Sequence, residues 1–519
     1  MLTRESLAAG LARRRSRLRD REMFLWLIPV GVALTFLSVS EKTALELVAA
    51  CIAAVLFVFM INRPTGTMWA LVVFLPSELV LFPLLHKWGV PGTFLHQASA
   101  IKEMMALAIL VAGLRVLRDS GQKLDKIDIA VLLYVGVVTI YLLAPHAFST
   151  VAPTEWSARF LAWRSDAGYP LIFLGARHAP FSQKTREQFL QLVLIVGGFI
   201  AVVGLYQKVA ASSFSNFILN TAGVENYEQY VLNTPLTVVQ RNLAYIHTIS
   251  PLHISSILLS PYDMGDYMAV VAAIAAVRIS QHHRSVFLYL VFAASAASCY
   301  FTQVRADSLA IVVVLVFVAL PASRTPLEGR LRLIATLAVA AVLVVPAIGS
   351  SRFFNKHDTV AQQSSTGHVK EIQDGIDVMI VFPLGLGLGQ QPGVANRYVQ
   401  LTGLLLGGDI SDNVITQVGD ELGVQALIPW LVMVFLIGLE LKRRAGRGDE
   451  VAACMGFAFV AIFVAGQFHH VFLTFPLPWM LWAGLGLALT RYEAPQQAYA
   501  PGDSGSLEAG PGPSAAGVR

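Results

Sequence analysis

Apolar runs recur along almost the whole chain and are separated by short polar gaps. A helix needs about 20 mostly apolar residues to cross the hydrocarbon core of a bilayer. The pattern therefore predicts an all-α polytopic membrane protein with about 12–14 transmembrane helices. The predicted spans are residues 23–40, 44–62, 67–85, 101–117, 127–145, 157–177, 187–209, 262–281, 285–303, 307–323, 331–349, 424–441, 451–468 and 471–490.

Two longer polar stretches interrupt the apolar runs and divide the chain. The C-terminal tail is rich in Gly, Pro, Ala and Ser, and it has too few apolar residues to build a core. The predicted order is a basic cytoplasmic N-terminus (1–22), an N-terminal transmembrane bundle (23–209), an external loop (210–261), central transmembrane helices (262–348), a large external loop containing short helices (349–423), C-terminal transmembrane helices (424–490) and a disordered cytoplasmic tail (491–519).

The composition argues against a soluble protein. Only 14% of the 519 residues are charged and 55% are hydrophobic, whereas a soluble domain carries about 25% charged residues. The formal net charge of +5 is spread over short clusters between apolar runs. It does not form one basic face with interleaved aromatic residues, as a nucleic-acid surface would. We therefore predict contact with membrane lipids and no nucleic-acid partner.

The basic clusters fall at alternate gaps between the predicted spans. Cytoplasmic gaps of membrane proteins carry an excess of Lys and Arg, so these gaps are assigned to the cytoplasm. Both termini are then cytoplasmic, and residues 349–423 lie outside. The clusters that define the cytoplasmic side are residues 13–21, 63, 115–126, 177–186, 278–284, 324–332 and 442–447.

Three motifs between residues 300 and 425 carry a family resemblance. They are TQVRADSL, with Arg305 at the outer end of a span; PLGLGLG, with Pro383, Gly385, Gly387 and Gly389; and DNVITQVGDELG, with Asp412, Asn413, Glu421 and Gly423. Together they resemble the O-antigen ligase and O-antigen polymerase family of bacterial envelope polysaccharide enzymes. Arg241 matches an arginine that the family often has in the preceding external loop. In two departures, His368 stands where an arginine is common and Asp412 replaces a histidine.

The resemblance implies transfer of a glycan from an undecaprenyl-pyrophosphate carrier to an acceptor hydroxyl, on the outer face of the bacterial cytoplasmic membrane, with no metal and no cofactor. Arginine suits the pyrophosphate, because its planar guanidinium binds phosphate oxygens in bidentate fashion. Arg305 is the implied clamp, and Asp412 is the implied base that takes the acceptor proton. The implied substrate-binding residues are Arg241, Arg164, His368, Asn413, Gly387 and Glu421.

The implied partners are the carrier-linked glycan, a glycan or lipid acceptor, and a polysaccharide chain-length regulator. We favour a polymerase that joins repeat units of a surface polysaccharide, because Asp412 weakens the match to the ligase pattern. Three alternatives stay open. They are an O-antigen ligase that delivers the glycan to a lipid A-core or another acceptor, a membrane transporter or lipid flippase, and a divalent-cation-dependent glycosyltransferase that uses Asp409, Asp412 and Asp420.

Several ionisable residues also have structural interpretations. Glu421 is expected to cap the next span, where the helix dipole favours a carboxylate. Lys102 and Glu103 are adjacent and point about 100° apart on a helix, so we expect them to have different partners. Arg164 and Asp166 either line the mouth of a cavity for the lipid pyrophosphate or form ion pairs that hold helices together.

Four histidines fall in or near the external segments: His247, His253, His469 and His470. Their spacing matches no metal-binding motif. We interpret them as ordinary polar loop residues, with His247 or His253 as alternative bases in place of the histidine that the family motif would supply.

Overall fold

A computed structural model describes residues 41–145, 155–232, 253–281, 285–319, 372–390, 413–469 and 476–491, and the single residues 234, 239, 243, 246 and 471. Every regular element within these ranges is a helix, and they contain no strand. The all-α fold predicted from the apolar pattern is therefore confirmed for the described residues. The predicted spans 23–40 and 331–349 lie outside them.

Sixteen helices are labelled here in chain order within the described ranges. They are α1 (Glu41–Asn62), α2 (Pro64–Lys87), α3 (Gly92–Ala98), α4 (Ile101–Ser120), α5 (Lys126–Leu143), α6 (Trp156–Asp166), α7 (Gly168–His178), α8 (Gln183–Val209), α9 (Pro261–Ser280), α10 (Val286–Thr302), α11 (Arg305–Ala319), α12 (372–381), α13 (Val414–Leu422), α14 (Val424–Ala445), α15 (Glu450–Ala465) and α16 (Leu477–Ala488). Short helical turns follow α8 at Ala211–Asn216, Phe217–Ala222, Val224–Asn226 and Tyr227–Val231, and another, Ser256–Leu258, precedes α9.

Four of the described helices are long and apolar enough to cross a membrane, namely α2, α5, α8 and α14. Helix α8 also has the surface that such a helix needs. Ile195, Phe199 and Val202 follow at helical spacing, and each is 56–60% exposed. A continuous apolar stripe of this kind is unfavourable in water and suits contact with lipid. The described helices thus have the character of a membrane protein.

One predicted span is interrupted. The apolar pattern predicts a single helix over residues 157–177, and the structure has α6 and α7 instead, with 11 residues each. Pro170 explains the interruption, because it has no amide hydrogen to donate to the carbonyl of Asp166, four residues earlier. Residues 157–177 thus form two short helices in place of one, and Asp166 lies at their junction.

Helix α9 lies at the centre of the described bundle. Its residues 264–277 are all buried, and it packs against α10, α11 and α15. Glycines allow close packing elsewhere in the bundle. An added Cβ at Gly197 of α8 would collide with Val271 of α9, and one at Gly113 of α4 would collide with the backbone of Gly175 in α7. Small residues at helix crossings are typical of bundles that associate by close van der Waals packing in a bilayer.

A network of buried ion pairs, which we call the ionic end, holds one end of the bundle together. Arg177 of α7 is 2% exposed; it binds Asp125 at 2.6 Å and also Asp128. Asp125 and Asp128 form a capping box at the start of α5. Asp128 also lies 3.1 Å from His178 Nε2 and 3.0 Å from Arg491 Nη1. Every charged group in this network therefore has an oppositely charged or hydrogen-bonding neighbour.

Further pairs extend the ionic end to other helices. Arg186 of α8 binds Asp449 at 2.5 Å, and Arg278 of α9 binds Glu450 at 2.7 Å. Arg444 of α14 donates to the carbonyl of Thr490 at 3.0 Å. These arginines come from three of the gaps whose basic residues predict a shared side of the membrane. They meet at one end of the described bundle.

Candidate functional site

The described ranges contain part of the predicted site. Asp412, Arg241 and His368 lie outside the described residues, as does Asp409. Arg305, Arg164, Asn413, Gly387 and Glu421 lie within them. The geometry of the site is therefore built from the second group and its neighbours.

The two motif segments at residues 383–389 and 420–424 pack directly against each other, and we call this contact the glycine corner. Backbone hydrogen bonds join them: Leu386 N donates to the Asp420 carbonyl at 2.7 Å, and Gly387 N donates to the Glu421 carbonyl at 2.9 Å. Val424 N donates to the Pro383 carbonyl at 3.0 Å. Segments more than 30 positions apart thus form one compact unit.

Left-handed backbone explains the glycines at this corner. Gly385, Gly387, Gly389 and Gly423 have φ angles of +79°, +108°, +90° and +70°, a region that side chains with a Cβ rarely adopt. Space is limiting as well, because a Cβ at Gly385 would lie 2.5 Å from the nitrogen of Gly423. The GLGLG run is therefore a tight turn that is closed by α13 and α14.

Glu421 holds the turn rather than capping the next helix. It lies in α13 and is 2% exposed, and its Oε1 accepts a hydrogen bond from Gly389 N at 2.5 Å. Helix α14 begins after Gly423 without any side-chain cap. The prediction that Glu421 caps α14 is wrong, because the positive φ of Gly423 turns the chain between them.

Asp420 is the most unusual carboxyl group at the glycine corner. It is 2% exposed, and its Oδ1 has no hydrogen-bond partner among the described residues. Burial disfavours the charged form and raises the pKa of Asp420 to about 8. A carboxyl group that titrates near neutral pH can both donate and accept a proton in catalysis.

Asp420→Asn is expected to flatten the pH dependence of stability. The wild-type carboxyl stays protonated in the folded protein and ionises in the unfolded chain. The wild type should therefore lose up to about 1.4 kcal/mol of stability per pH unit between about pH 4 and pH 8, and the variant should not. Apparent melting temperatures in detergent at pH 5, 6, 7 and 8 measure this difference.

The exposed Asp377 of α12 offers a matched control. Asp377→Asn removes one negative charge without changing a buried group. Its apparent melting temperature should therefore change with pH in the same way as that of the wild type. If the melting temperatures of the wild type and Asp420→Asn differed by the same amount at every pH in this range, that result would contradict the raised pKa of Asp420.

Asn413 ties the start of α13 to the end of α15. Its side-chain oxygen accepts hydrogen bonds from Ile415 N at 2.9 Å and Thr416 N at 3.3 Å, which is the geometry of a helix N-cap. Its Nδ2 donates to the Gln467 carbonyl at 3.0 Å. Asn413 therefore positions α13, and with it the glycine corner, against the rest of the bundle.

The predicted arginines differ in their surroundings. Arg305 is the first residue of α11 and is exposed, so its guanidinium lies at the surface of the described bundle. Arg164 instead forms an ion pair with Glu103 at 2.7 Å. Lys102 binds Glu78 at 2.6 Å. The prediction that Lys102 and Glu103 have different partners is confirmed.

A small cleft of about 20 Å³, which is roughly the space that one water molecule needs, lies between α13 and the junction of α6 and α7. Asp166 Oδ2 and Gln417 Nε2 are buried and have no hydrogen-bond partner among the described residues. Aromatic walls with a few polar groups are typical of sites for small ligands. The lining residues include Tyr134, Asp166, Tyr169, Gln417, Trp430 and Trp482.

The histidine predictions have mixed outcomes. His247 and His470 lie outside the described residues. His253 is partly buried, and its Nδ1 lies 2.9 Å from the Thr302 carbonyl. His469 is not an ordinary loop residue: it is 5% exposed, and its Nε2 lies 2.9 Å from Asp266 Oδ1. That prediction is wrong because a neighbouring helix supplies a carboxylate that the local sequence does not reveal.

The sequence motifs assign no role to two buried carboxylates, Asp266 and Asp307. Both are 0% exposed; Asp266 lies within the predicted span 262–281, and Asp307 is the first residue of the predicted span 307–323. An ionisable residue inside an apolar span is costly and usually functional. This signal is visible in the sequence and would have singled out both residues.

The fold and the site together define an all-helical protein, within its described ranges, that has four helices able to cross a membrane and a tight glycine-lined corner beside an aromatic cleft. A scan against protein-family models finds no match, and no curated protein matches this chain.

Proposed function

We propose that this protein is a membrane glycosyltransferase that polymerises a surface polysaccharide from undecaprenyl-pyrophosphate-linked oligosaccharides. The resemblance to the O-antigen ligase and polymerase family suggests this function. One structural observation supports it most: the motif segments at residues 383–389 and 420–424 form a single unit, the glycine corner. These two segments carry separate motifs of the same family resemblance. Because they are in contact, we expect them to belong to one site.

In the proposed reaction, the acceptor hydroxyl oxygen attacks the anomeric carbon of the donor. The bond from that carbon to the pyrophosphate oxygen breaks, and the pyrophosphate leaves on its lipid carrier. Arg305 would stabilise the charge that develops on the pyrophosphate, because cationic donors aimed at such charge lower the barrier. A carboxylate would take the acceptor proton, and Asp412 is the base that the family motif implies. Asp420 is a second candidate, because a pKa of about 8 leaves a fraction of this carboxyl ionised near neutral pH.

The aromatic cleft would admit one hydroxyl group of a sugar unit next to this chemistry. Tyr134, Trp430 and Trp482 offer flat apolar surfaces, and Asp166 and Gln417 offer an acceptor and a donor without hydrogen-bond partners among the described residues. A sugar hydroxyl both donates and accepts a hydrogen bond, so it would pair with both polar groups. Val414 and Gln417 connect the cleft to α13, which also carries the glycine corner.

The proposal places the chain in a bacterial cytoplasmic membrane with about 12–14 spans and with both termini in the cytoplasm. The meeting of basic residues at the ionic end supports this topology, since cytoplasmic gaps are rich in Lys and Arg. The glycine corner would then face outward, where a carrier-linked glycan is presented without nucleotide.

Arg305→Ala is expected to lower glycan transfer by roughly 100-fold or more, a typical loss when one group that stabilises a developing charge is removed. The assay reconstitutes the purified protein in lipid with an undecaprenyl-pyrophosphate-linked oligosaccharide and no nucleotide, and it follows products on a gel. A polymerase should give a ladder of repeat lengths. Asp412→Asn and Asp420→Asn are compared in the same assay. The variant that no longer produces the ladder identifies the base.

Arg118→Ala is the matched control, because Arg118 is also an exposed arginine at a helix end, and its side chain is 81% exposed. This variant should retain the full ladder. Transfer of a single unit only when a lipid acceptor is added would favour the ligase alternative. No transfer from any carrier-linked donor by folded protein would contradict the proposed enzyme class and favour a transporter or flippase.

A further inference from the structure

Three buried residues from separate elements meet beside the central helix. Asp266 comes from α9, Asp307 from α11, and His469 from the turn after α15. His469 Nε2 lies 2.9 Å from Asp266 Oδ1 and 3.8 Å from Asp307 Oδ1. One ligand atom of each residue lies within 4.8 Å of the other two. We call this group the Asp-Asp-His cluster.

Asp307 lacks a hydrogen-bond donor among the described protein atoms. It is 0% exposed, and neither of its carboxylate oxygens has a hydrogen-bond partner among the described residues. A buried carboxylate without such a partner is strongly unfavourable. Either a proton shared with the neighbouring Asp266 carboxylate or a bound cation is therefore needed at Asp307.

The local sequence makes room for this carboxylate. Gly265 precedes Asp266 on α9, and an added Cβ there would collide with Asp307 Oδ2. The missing side chain lets the Asp307 carboxylate lie directly against the backbone of α9. The approach brings the negative charges of Asp266 and Asp307 together inside the bundle, where like charges repel strongly at low dielectric.

We infer that the Asp-Asp-His cluster binds one divalent transition-metal ion. Two carboxylates and a neutral imidazole carry a charge of about −2, which a divalent cation balances. Carboxylate oxygens and histidine nitrogens bind Zn²⁺ at about 2.0–2.2 Å, so ligands of a tetrahedral ion lie roughly 3.3–3.6 Å apart. The distances of 2.9 and 3.8 Å from His469 Nε2 lie on either side of that range.

The ligand types favour one class of ion. Mg²⁺ and Ca²⁺ prefer sites made of oxygen atoms alone, whereas a site with an imidazole nitrogen and two carboxylates suits Zn²⁺, Mn²⁺ or Fe²⁺. Tyr262, whose ring centroid lies 5.6 Å from that of His469, restricts the orientation of the imidazole. The ion would cross-link α9, α11 and the end of α15 at the centre of the bundle.

Metal content tests this inference directly. The full-length protein in lipid nanodiscs is stripped with a chelator, loaded with Zn²⁺ or Mn²⁺ and desalted, and bound metal is counted by mass spectrometry. The wild type should retain about one ion per chain, and Asp307→Asn should bind at least 100-fold more weakly, because it removes a ligand without changing the side-chain volume. Mg²⁺ should not compete at equal concentration.

Asp377→Asn is the matched control, since it removes an exposed carboxylate remote from the cluster in sequence, and it should bind metal like the wild type. His469→Gln gives a second test if Asp307→Asn does not fold; it should also lose the ion. Wild-type protein that retains no metal, or equal retention by the wild type and both cluster variants, would overturn the inference. No glycan is present in this assay, so its result is independent of the proposed glycosyltransferase activity.

Discussion

Arg177→Met is expected to lower the free energy of unfolding by about 3–5 kcal/mol, the usual result of removing one partner from a buried ion pair. Arg177 is 2% exposed and binds Asp125 and Asp128. Without it, Arg491 and His178 are left to balance Asp128, and the Asp125 carboxylate loses its closest cation. The measurement is the apparent melting temperature in detergent, followed by helical circular dichroism.

The stability that Arg177→Met loses depends on pH and should be smaller at acidic pH. Burial raises the pKa of Asp125, but the hydrogen bond and the charge of Arg177 outweigh burial and hold that pKa below its ordinary value. The stabilisation is therefore complete above about pH 4, the ordinary range of an aspartate, and is lost as the pH falls. The deficit of Arg177→Met should accordingly shrink at acidic pH.

Arg443→Met is the matched control for the ionic end. Arg443 binds Glu440 at 2.7 Å, but its side chain is 58% exposed, and solvent screens such pairs. The variant should melt like the wild type. In the double variant Arg177→Met with Asp128→Asn, part of the lost stability should return, because the uncompensated carboxylate is also removed. Equal melting temperatures for Arg177→Met and Arg443→Met would show that the ionic end does not stabilise the bundle.

Gly385→Ala is expected to disrupt the glycine corner and to abolish glycan transfer. The new Cβ would lie 2.5 Å from Gly423 N and 2.6 Å from the Glu421 carbonyl oxygen, and backbone atoms of two helix ends cannot move away cheaply. The φ angle of +79° adds a cost of roughly 1–3 kcal/mol for a residue with a side chain. Melting temperature and the carrier-linked glycan assay should both report the change.

Gly136→Ala makes the comparison specific. Gly136 lies within α5, and an added Cβ there meets no atom within 4 Å. Alanine is a better helix former than glycine by about 1 kcal/mol, so this variant should be as stable as the wild type or more stable, with full activity. If Gly385→Ala matches Gly136→Ala in both assays, the glycine corner is neither rigid nor required.

The apolar pattern predicted much of the helical structure because it depends on local composition. Helices α2, α5, α8 and α14 coincide with predicted spans and are long and apolar enough to cross a membrane. The single helix expected over residues 157–177 is divided in two, because hydropathy alone ignores the missing amide hydrogen of Pro170. The full number of spans stays a prediction from the pattern.

The sequence predicts only those parts of the candidate site in which the residue type itself determines the backbone conformation. The glycines of the PLGLGLG motif have positive φ angles, a conformation that glycine adopts readily, so the residue types themselves allow this turn. The role of Glu421 was not predictable, since its partner Gly389 N lies 32 positions away. The raised pKa of Asp420 depends on burial by other segments, which its polar surroundings in the sequence did not suggest.

The sequence by itself determined which segments become helices, because apolar composition and the need to satisfy backbone hydrogen bonds act within each segment. Its basic residues also indicated which gaps share one side. Only the tertiary structure decided which charged groups meet. Asp266 and His469 are 203 positions apart yet form a hydrogen bond, because helix packing, which depends on side-chain shape across the whole bundle, determines contacts that no local pattern encodes.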